Sequence, residues 1–281
     1  MSAAEARAFL LRHGLAAHKD RGQNFLHDAA VARRLVEAAG VGPDDGVLEI
    51  GTGLGMLTRA LSGRARRVET VEVDSGLVRA LRAEGLPPNV RLHHADALAL
   101  DLGALLAELG RPARIVANLP YSVATPLLRR CLDLGPALDG IAVMVQREMA
   151  ARLRARAGSR DYGSLSVLFA WATTPGESFE LPPGCFHPAP RVTSTFVCMS
   201  PRTDLVAPGE LPALEAVLRA GFAHRRKTLV NSLARAADID AGRATTALRE
   251  LGLDARIRAE HLLPESWLEL ARRLRQRNPP A

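Results

Sequence analysis

Apolar residues recur with two different periods along the chain, and these periods predict its elements. From residue 46 to about residue 200, short apolar runs typical of strands alternate with segments of helical spacing. The predicted strands are 46–50, 67–73, 90–94, 113–117, 140–145, 166–172 and 193–199. The predicted helices between them are 54–62, 75–84, 103–109, 124–133 and 146–156. This alternation predicts an α/β fold, with a mostly parallel seven-stranded sheet and helices on both faces.

Helical spacing also covers both ends of the chain. Residues 1–12 and 28–40 each show an apolar helical face, and residues 21–26 between them are predicted as a loop because Gly and Asn disfavour a helix. A segment rich in Pro and Gly near residues 200–212 precedes four further helical stretches. These lie at 211–222, 225–236, 241–251 and 265–276. We therefore predict an α/β domain at 1–203 and a small all-helical domain at 204–281.

Composition narrows the class of protein. The chain has 281 residues, of which 47% are hydrophobic, and it can bury a sizeable core. It lacks a signal-peptide pattern and any run of eighteen apolar residues, so we expect no membrane span. Its three cysteines lie far apart, at neither disulfide nor zinc spacing, and we expect a reduced, cytoplasmic protein without a metal. The net charge of +7 favours an anionic partner such as nucleic acid.

The first predicted strand of the sheet runs into a turn with glycine at alternate positions, Gly51, Gly53 and Gly55. Glycine adopts positive φ angles and lets a ligand approach the backbone. A dinucleotide fingerprint would need its third glycine at position 56, which is Met56. The observed spacing fits the turn of S-adenosylmethionine enzymes better. The alternative is a glycine-rich turn that binds no ligand.

Carboxylates follow the next two predicted strands, where parallel sheets bind their ligands. Glu72 lies about twenty residues after the glycine turn, the separation expected for a carboxylate that binds a ribose hydroxyl. Asp74 is a rival, but it is also a good N-cap for the next helix, so we assign the ribose to Glu72 and the cap to Asp74. Asp96 would accept a hydrogen bond from an adenine amino group or, alternatively, cap a helix.

The tetrapeptide Asn118-Leu119-Pro120-Tyr121 directly follows the fourth predicted strand. The amino nitrogen of a nucleobase is a poor nucleophile because its lone pair is delocalised into the ring. An Asn side-chain oxygen and a backbone carbonyl next to Pro120 would hold this nitrogen towards sp³ geometry and expose the lone pair. Pro120 stiffens the backbone, and Tyr121 supplies a ring that stacks on the base. The alternative is a turn that ends a strand, with Tyr121 packed inward.

Two other stretches favour nucleic acid as the partner. Phe186 begins a stiff, proline-rich loop at 186–192, where its ring either stacks on a base or packs into the core. Arg225, Arg226 and Lys227 begin a predicted helix, where the macrodipole disfavours cations. Phosphate contact would explain this placement, and a solvated run of charge is the alternative.

In number and order, these motifs resemble those of the small-subunit ribosomal RNA adenine dimethyltransferases. The matching segments span nearly the whole chain and comprise residues 22–26, 49–55, 71–74, 96, 118–121, 186–192 and 225–228. The resemblance implies a Rossmann-like, S-adenosylmethionine-dependent methyltransferase fold. It also implies that the helical C-terminal domain binds RNA or the ribosomal subunit.

The resemblance further implies roles for single residues. Residues 1–45 would cover the cofactor. The implied cofactor contacts are Gln23, Asn24, Leu26, Gly51, Gly53, Glu72, Asp96 and Asn118. The implied catalytic motif is Asn118, Leu119, Pro120 and Tyr121. The implied substrate contacts are Tyr121 and Phe186, which would sandwich the target adenine, together with Arg225, Arg226 and Lys227.

By the same resemblance, the enzyme would transfer four methyl groups from S-adenosylmethionine to the N6 atoms of two adjacent adenosines. These lie in a hairpin loop near the 3′ end of 16S ribosomal RNA, and the enzyme would act as a monomer on the assembling small subunit. One alternative is a related erythromycin-resistance methylase that acts on large-subunit RNA. Another is an RNA-binding assembly factor without activity, which the intact Glu72, Asp96 and Asn118 disfavour.

Overall fold

The chain folds into two compact units. The structure, a computed structural model, describes residues 1–18, 22–202, 210–224, 226–236 and 239–276. The first unit comprises Met1–Ala150 and Thr174–Pro201, and the second comprises Ala151–Thr173 and Arg202–Ala281. The sequence analysis assigned residues 151–173 to the first domain, whereas the structure groups them with the helical residues that follow Pro201.

The elements of the first unit follow the predicted alternation. Its strands are β1 (Phe25–Leu26), β2 (Gly46–Ile50), β3 (Arg67–Glu72), β4 (Val90–His94), β5 (Ala113–Asn118), β6 (Gly140–Gln146), β7 (Thr173–Leu181), β8 (Phe186–His187) and β9 (Ser194–Pro201). Its helices are α1 (Ala3–Arg12), α2 (Ala29–Ala38), α3 (Met56–Ser62), α4 (Ser75–Glu84), α5 (Leu102–Leu109) and α6 (Ala124–Asp133), and α7 (Arg147–Leu153) continues into the second unit.

The seven-stranded sheet has the order β4-β3-β2-β5-β6-β9-β7. The neighbouring strands β4, β3, β2, β5 and β6 are all parallel to one another, and β9 pairs antiparallel with β6. This confirms the predicted α/β fold with a mostly parallel seven-stranded sheet. Ile50 pairs with Val71 of β3 and with Ala117 of β5. Because of this register, the residues that follow β2, β3 and β5 meet at one edge of the sheet.

The prediction of a strand at 166–172 was wrong. These residues form most of helix α8 (Ser164–Ala172), and the seventh strand of the sheet is β7 instead. Ser166, Val167, Phe169 and Trp171 are all buried, so α8 shows no polar face in the sequence. A short apolar run of this kind has the same appearance in a buried helix and in a buried strand.

From residue 210 onward, the described residues of the second unit form helices joined by turns and short irregular segments, with no strand among them. Its helices are α8, α9 (Glu210–Phe222), α10 (Leu229–Ala236), α11 (Ala241–Glu250) and α12 (Pro264–Gln276). Trp267 is fully buried and stacks on Phe222, with ring centroids 5.1 Å apart. The predicted helix at 225–236 begins only at Leu229, so Arg226 and Lys227 lie in a turn before it. Arg225 lies outside the described residues.

The three cysteines, Cys131, Cys185 and Cys198, are all free and buried. Across the described ranges, no helix has the length and apolar character needed to cross a membrane.

Candidate active site

A pocket opens at the edge of the sheet where β2, β3 and β5 end. Most of the residues predicted for the site line it, namely Gln23, Asn24, Gly51, Gly53, Glu72, Asp96, Asn118, Leu119, Pro120 and Tyr121. Residues far apart in sequence meet here because parallel strands end at the same edge of a sheet. The described residues contain no group of three or more His, Cys, Asp or Glu side chains placed to hold a metal ion.

The glycine turn closely approaches its neighbours. Gly51 and Gly53 have φ angles of 87° and 57°. A Cβ on Gly51 would lie 3.3 Å from the carbonyl oxygen of Asn118, and one on Gly53 would lie 3.2 Å from Cδ1 of Phe25. Both positions therefore require glycine for backbone conformation and for space. The turn exposes backbone, not side chains, to the pocket.

Glu72 is held in place by backbone donors at the end of β3. Its Oε2 accepts a hydrogen bond of 2.9 Å from the Gly53 N–H, and its Oε1 accepts one of 2.9 Å from the Asp74 N–H. Glu72 is 6% exposed, and burial raises its pKa, although the two backbone hydrogen bonds oppose this shift. Each carboxylate oxygen keeps a second lone pair, so Glu72 can also accept hydrogen bonds from hydroxyl groups in the pocket.

Asp74 caps α4, as predicted. Its Oδ1 accepts hydrogen bonds from the N–H groups of Gly76 (2.8 Å) and Leu77 (3.2 Å). Its Oδ2 accepts one of 3.4 Å from the side-chain amide of Gln23. Asp74 therefore anchors the loop that carries Gln23 and Asn24 beside the pocket.

Asp96 lies at the pocket and does not cap a helix, because the N-cap of α5 is Asp101. It is exposed, it lines the pocket, and its Oδ1 accepts a hydrogen bond of 2.8 Å from the Leu98 N–H. This bond stabilises the turn after β4. Because a carboxylate has two oxygens, the turn leaves one of them for an amino group of a ligand.

Asn118 ends β5 with its amide oriented by a neighbouring loop. Its Nδ2 donates a hydrogen bond of 3.3 Å to the carbonyl oxygen of Asn24. This leaves Oδ1 as the acceptor for a ligand. The Pro120 carbonyl already accepts a hydrogen bond from the Val123 N–H, so the Leu119 carbonyl is the candidate for the second acceptor. The Leu119 side chain itself is 1% exposed and packs in the core.

The phenol of Tyr121 is anchored by Ser194, a residue that the sequence analysis did not single out. A hydrogen bond of 2.6 Å joins the two hydroxyls. Ser194 is fully buried in β9, and Tyr121 is half-buried, which raises the pKa of its phenol. The phenol oxygen lies on the axis of ring rotation. The bond therefore fixes the direction of the side chain, while the ring can still turn to match the plane of a base.

We expect the Tyr121 and Ser194 hydroxyls to act as one unit in catalysis. Tyr121→Phe and Ser194→Ala should each lower kcat about fivefold to tenfold, because each leaves one hydroxyl unpaired and the ring less well held. The double variant should lose about the same factor and not the product of the two. The measurement is methyl-transfer kcat at saturating RNA substrate, with thermal unfolding followed in parallel.

Thr195→Val is the matched control for this cycle. Thr195 follows Ser194 in β9, and its Oγ1 is buried without a hydrogen-bond partner among the described residues. Loss of the Thr195 hydroxyl should therefore leave kcat unchanged. If the loss of kcat in the double variant equals the product of the two single losses, the two hydroxyls are not coupled in catalysis. If the two substitutions are coupled in thermal unfolding but not in kcat, the pair has only a structural role.

Leu26 and Phe186, for which the resemblance implies contacts, are not among the residues that line the pocket. They pair across the short β1–β8 ladder. Their side chains are 5% and 3% exposed and belong to the core. The packing alternative for Phe186 describes this arrangement, whereas the stacking alternative does not. Both residues support the loop that carries Asn24 instead.

Apolar residues of the pocket wall were missed by the sequence analysis. Val73 lines the pocket and is 53% exposed, although it directly follows the buried Glu72. Leu98 and Phe25 line it as well. The signal available in the sequence was an apolar residue placed between two carboxylates, Glu72 and Asp74, directly after a strand. This wall suits the flat ring of a nucleoside whose polar groups face Glu72 and Asp96.

A buried carboxyl group supports the glycine turn from behind. Glu49 is fully buried in β2, and its Oε2 accepts hydrogen bonds of 2.6 Å from the hydroxyls of Thr58 in α3 and Thr70 in β3. Burial raises the pKa of Glu49 to about 8. Glu49 is therefore protonated at neutral pH, when it joins β2, α3 and β3 without placing a charge in the core.

We expect Glu49 to make the protein less stable as the pH rises. Its pKa is 4.5 when unfolded and about 8 when folded, so its stabilising contribution is complete below pH 4.5 and lost by about pH 8. Relative to Glu49→Gln, the wild type should lose about 1.4 kcal/mol of unfolding free energy per pH unit within this window. Denaturant unfolding at pH 5.5, 6.5 and 7.5 measures this difference. The exposed Glu108→Gln is the control, and parallel pH profiles for wild type and Glu49→Gln would refute the expectation.

Residues 14–276 match the family model described as ribosomal RNA adenine dimethylase. A protein of Rubrobacter xylanophilus named ribosomal RNA small subunit methyltransferase A is 43% identical over 257 residues, covering 91% of this chain and 94% of the relative. The protein of the same name from Magnetococcus marinus is 41% identical over 267 residues and covers 94% of each chain.

Two solved structures share the fold. A dimethyladenosine transferase from Plasmodium falciparum superposes with a TM-score of 0.71 at 22% identity, covering 88% of this chain and 95% of its own. The 23S rRNA methyltransferase ErmE superposes with a TM-score of 0.64 at 30% identity, covering 89% of this chain and 99% of its own.

Proposed function

The chain belongs to the ribosomal RNA adenine dimethylase family, and from this premise we propose which RNA it modifies and how its residues contribute. As a member, it is an enzyme that dimethylates adenine in ribosomal RNA. Its target is N6 of two adjacent adenosines in a hairpin loop near the 3′ end of 16S ribosomal RNA. Relatives named small-subunit methyltransferases, at up to 43% identity, support this choice. A base in a loop is already partly unstacked, which lowers the cost of extruding it.

The methyl donor is S-adenosylmethionine, and the pocket fits it. The side-chain-free Gly51 and Gly53 admit its methionine and ribose parts, and the anchored carboxylate of Glu72 accepts from the ribose hydroxyls. Asp96 accepts from the adenine amine, beside the apolar wall that includes Val73. When bound, the donor supplies an electrophilic methyl group on a sulfonium.

Asn118 carries the chemistry on the side of the target base. Its Oδ1 and the Leu119 carbonyl accept the two N–H groups of the target amine and hold the nitrogen near sp³ geometry. The lone pair then points out of the ring plane and becomes nucleophilic. Tyr121 stacks on the adenine and fixes its plane. No general base is needed before attack, because the proton leaves afterwards. The observation that carries this mechanism is the meeting of Asn118, the glycine turn and Glu72 in one pocket.

The second unit binds the ribosomal RNA of an assembling small subunit. Arg226 and Lys227 are exposed in a turn directly before α10, where they can contact phosphates. Arg225 shares this role in our proposal. The enzyme acts as a monomer in the cytoplasm.

The test is methylation of small subunits that lack the modification. With labelled S-adenosylmethionine, we expect label in 16S RNA, and mass spectrometry should find dimethyladenine at two adjacent positions. Label only in large-subunit RNA would favour the second candidate function, which the 30% identity to the 23S rRNA methyltransferase ErmE makes worth testing. An absence of both label and calorimetric cofactor binding would favour an inactive assembly factor.

A further inference from the structure

The net positive charge of the chain lies entirely in the second unit. The first unit contains 19 basic and 19 acidic side chains, whereas the second contains 18 basic and 11 acidic ones. The formal charge of +7 is therefore the charge of the second unit. A unit with this excess attracts polyanions, whereas the catalytic unit is neutral as a whole.

Nearly half of this excess positive charge comes from residues 151–173, which the structure groups with the second unit. Residues 151–173 contain four arginines, Arg152, Arg154, Arg156 and Arg160, and a single acidic residue, Asp161. All four arginines are exposed. We call residues 152–160, which run from the end of α7 through the turns that follow it, the arginine loop.

The backbone of the arginine loop is fixed by contacts within the second unit. The Gly158 N–H donates a hydrogen bond of 2.6 Å to the Glu260 carbonyl, and the Ser166 hydroxyl donates one of 2.6 Å to the Arg152 carbonyl. Just after the loop, the hydroxyl of the buried Tyr162 donates one of 2.7 Å to the Leu262 carbonyl. The loop is therefore a preorganised display of cations, which reduces the entropy lost when it binds a partner.

The chemistry of the loop favours phosphates over a protein groove. Leu153 is buried, and the other residues between the arginines are Ala, Gly and Ser, so the loop exposes no large apolar side chain. Guanidinium groups bind phosphate oxygens bidentately and suit the backbone of a nucleic acid.

We propose that the arginine loop is an RNA-docking surface of the second unit, which binds backbone phosphates of the substrate's ribosomal RNA independently of base sequence. This inference rests on the proposed function, because it takes the RNA of the small subunit as the partner. It adds a contact region to the turn of Arg226 and Lys227 in the same unit.

The test replaces Arg152, Arg154, Arg156 and Arg160 by Gln and measures Kd for unmethylated small subunits at several salt concentrations. We expect the slope of log affinity against log salt to fall by about 3, and affinity at low salt to fall at least about tenfold, since each lost phosphate contact removes about 0.7–0.9 of the slope. Calorimetric affinity for S-adenosylmethionine should be unchanged, which verifies the fold of the first unit. If the fourfold variant does not fold, Arg156→Gln with Arg160→Gln should give about half the change in slope.

The control variant removes the same charge from the first unit, through Gln at Arg7, Arg33, Arg79 and Arg82, all of which are exposed. An equal loss of slope in this control, or an unchanged slope in the loop variant, would overturn the inference. So would a loss of affinity for intact subunits but not for protein-free 16S RNA, because the loop would then contact a ribosomal protein. Failure of the wild type to methylate small subunits would instead count against the proposed function.

Discussion

Asn118→Ala is expected to lower kcat for methyl transfer by about a thousandfold, comparable to the loss of a preorganised hydrogen-bonding group in other active sites. The side chain supplies one of the two acceptors for the target amine, and without it the lone pair returns to conjugation with the ring. Affinity for S-adenosylmethionine should change far less, because the glycine turn and Glu72 remain. The measurement is single-turnover methylation of saturating small subunits, together with calorimetric cofactor binding.

Asn118→Asp is the companion variant. It retains an acceptor oxygen but cannot donate to the Asn24 carbonyl, which lies 3.3 Å from Nδ2 in the wild type. We therefore expect a smaller loss than for alanine, and a difference between the two variants would separate the acceptor from its orientation. Near-normal turnover by the alanine variant would eliminate the amine-positioning role.

The central strands of the sheet were predictable because they are apolar on both faces. Residues of β2 and β5 are buried almost without exception, and such runs, separated by helical spacing, are typical of a parallel sheet. Helix α8 was not predictable in this way, because most of its residues are buried too and its sequence has no polar face. Because α8 was predicted as a strand, residues 151–173 were assigned to the first domain. Their place in the second unit depends on contacts with residues about a hundred positions away, such as the hydrogen bond of Tyr162 with Leu262.

The residues at the strand ends of the site were predictable for a topological reason. Once the strands are assigned, Gly51, Glu72 and Asn118 follow from the rule that ligands bind at the carboxyl ends of parallel strands. Side-chain orientation was not predictable from the sequence. Phe186 turns into the core because β8 pairs with β1, and Ser194 reaches Tyr121 across 73 residues through the antiparallel return of β9.

Glu72→Gln is expected to weaken S-adenosylmethionine binding about a hundredfold or more. Two charge-assisted hydrogen bonds to the ribose, each worth about 1.5–3 kcal/mol, depend on this carboxylate. Glutamine has one acceptor oxygen and one donor nitrogen at the end of its side chain. Its amide nitrogen would therefore face the N–H group of either Gly53 or Asp74, donor against donor.

Burial raises the pKa of Glu72 above 4.5. The carboxylate is the accepting form, so wild-type affinity should fall as the pH drops through this raised pKa, and the variant should lack this dependence.

Asp74→Asn is the matched control, because it tests the rival carboxylate. Asparagine caps helices about as well as aspartate, so α4 should persist and cofactor affinity should change by no more than a few-fold. The negative charge of Asp74 contributes to the raised pKa of Glu72. Removing it should therefore move the pH dependence of cofactor binding to lower pH, a shift that a purely structural cap would not produce. If calorimetry showed a larger affinity loss for Asp74→Asn than for Glu72→Gln, the ribose contact would belong to Asp74, and Glu72 would be left with the task of holding the Gly53 turn.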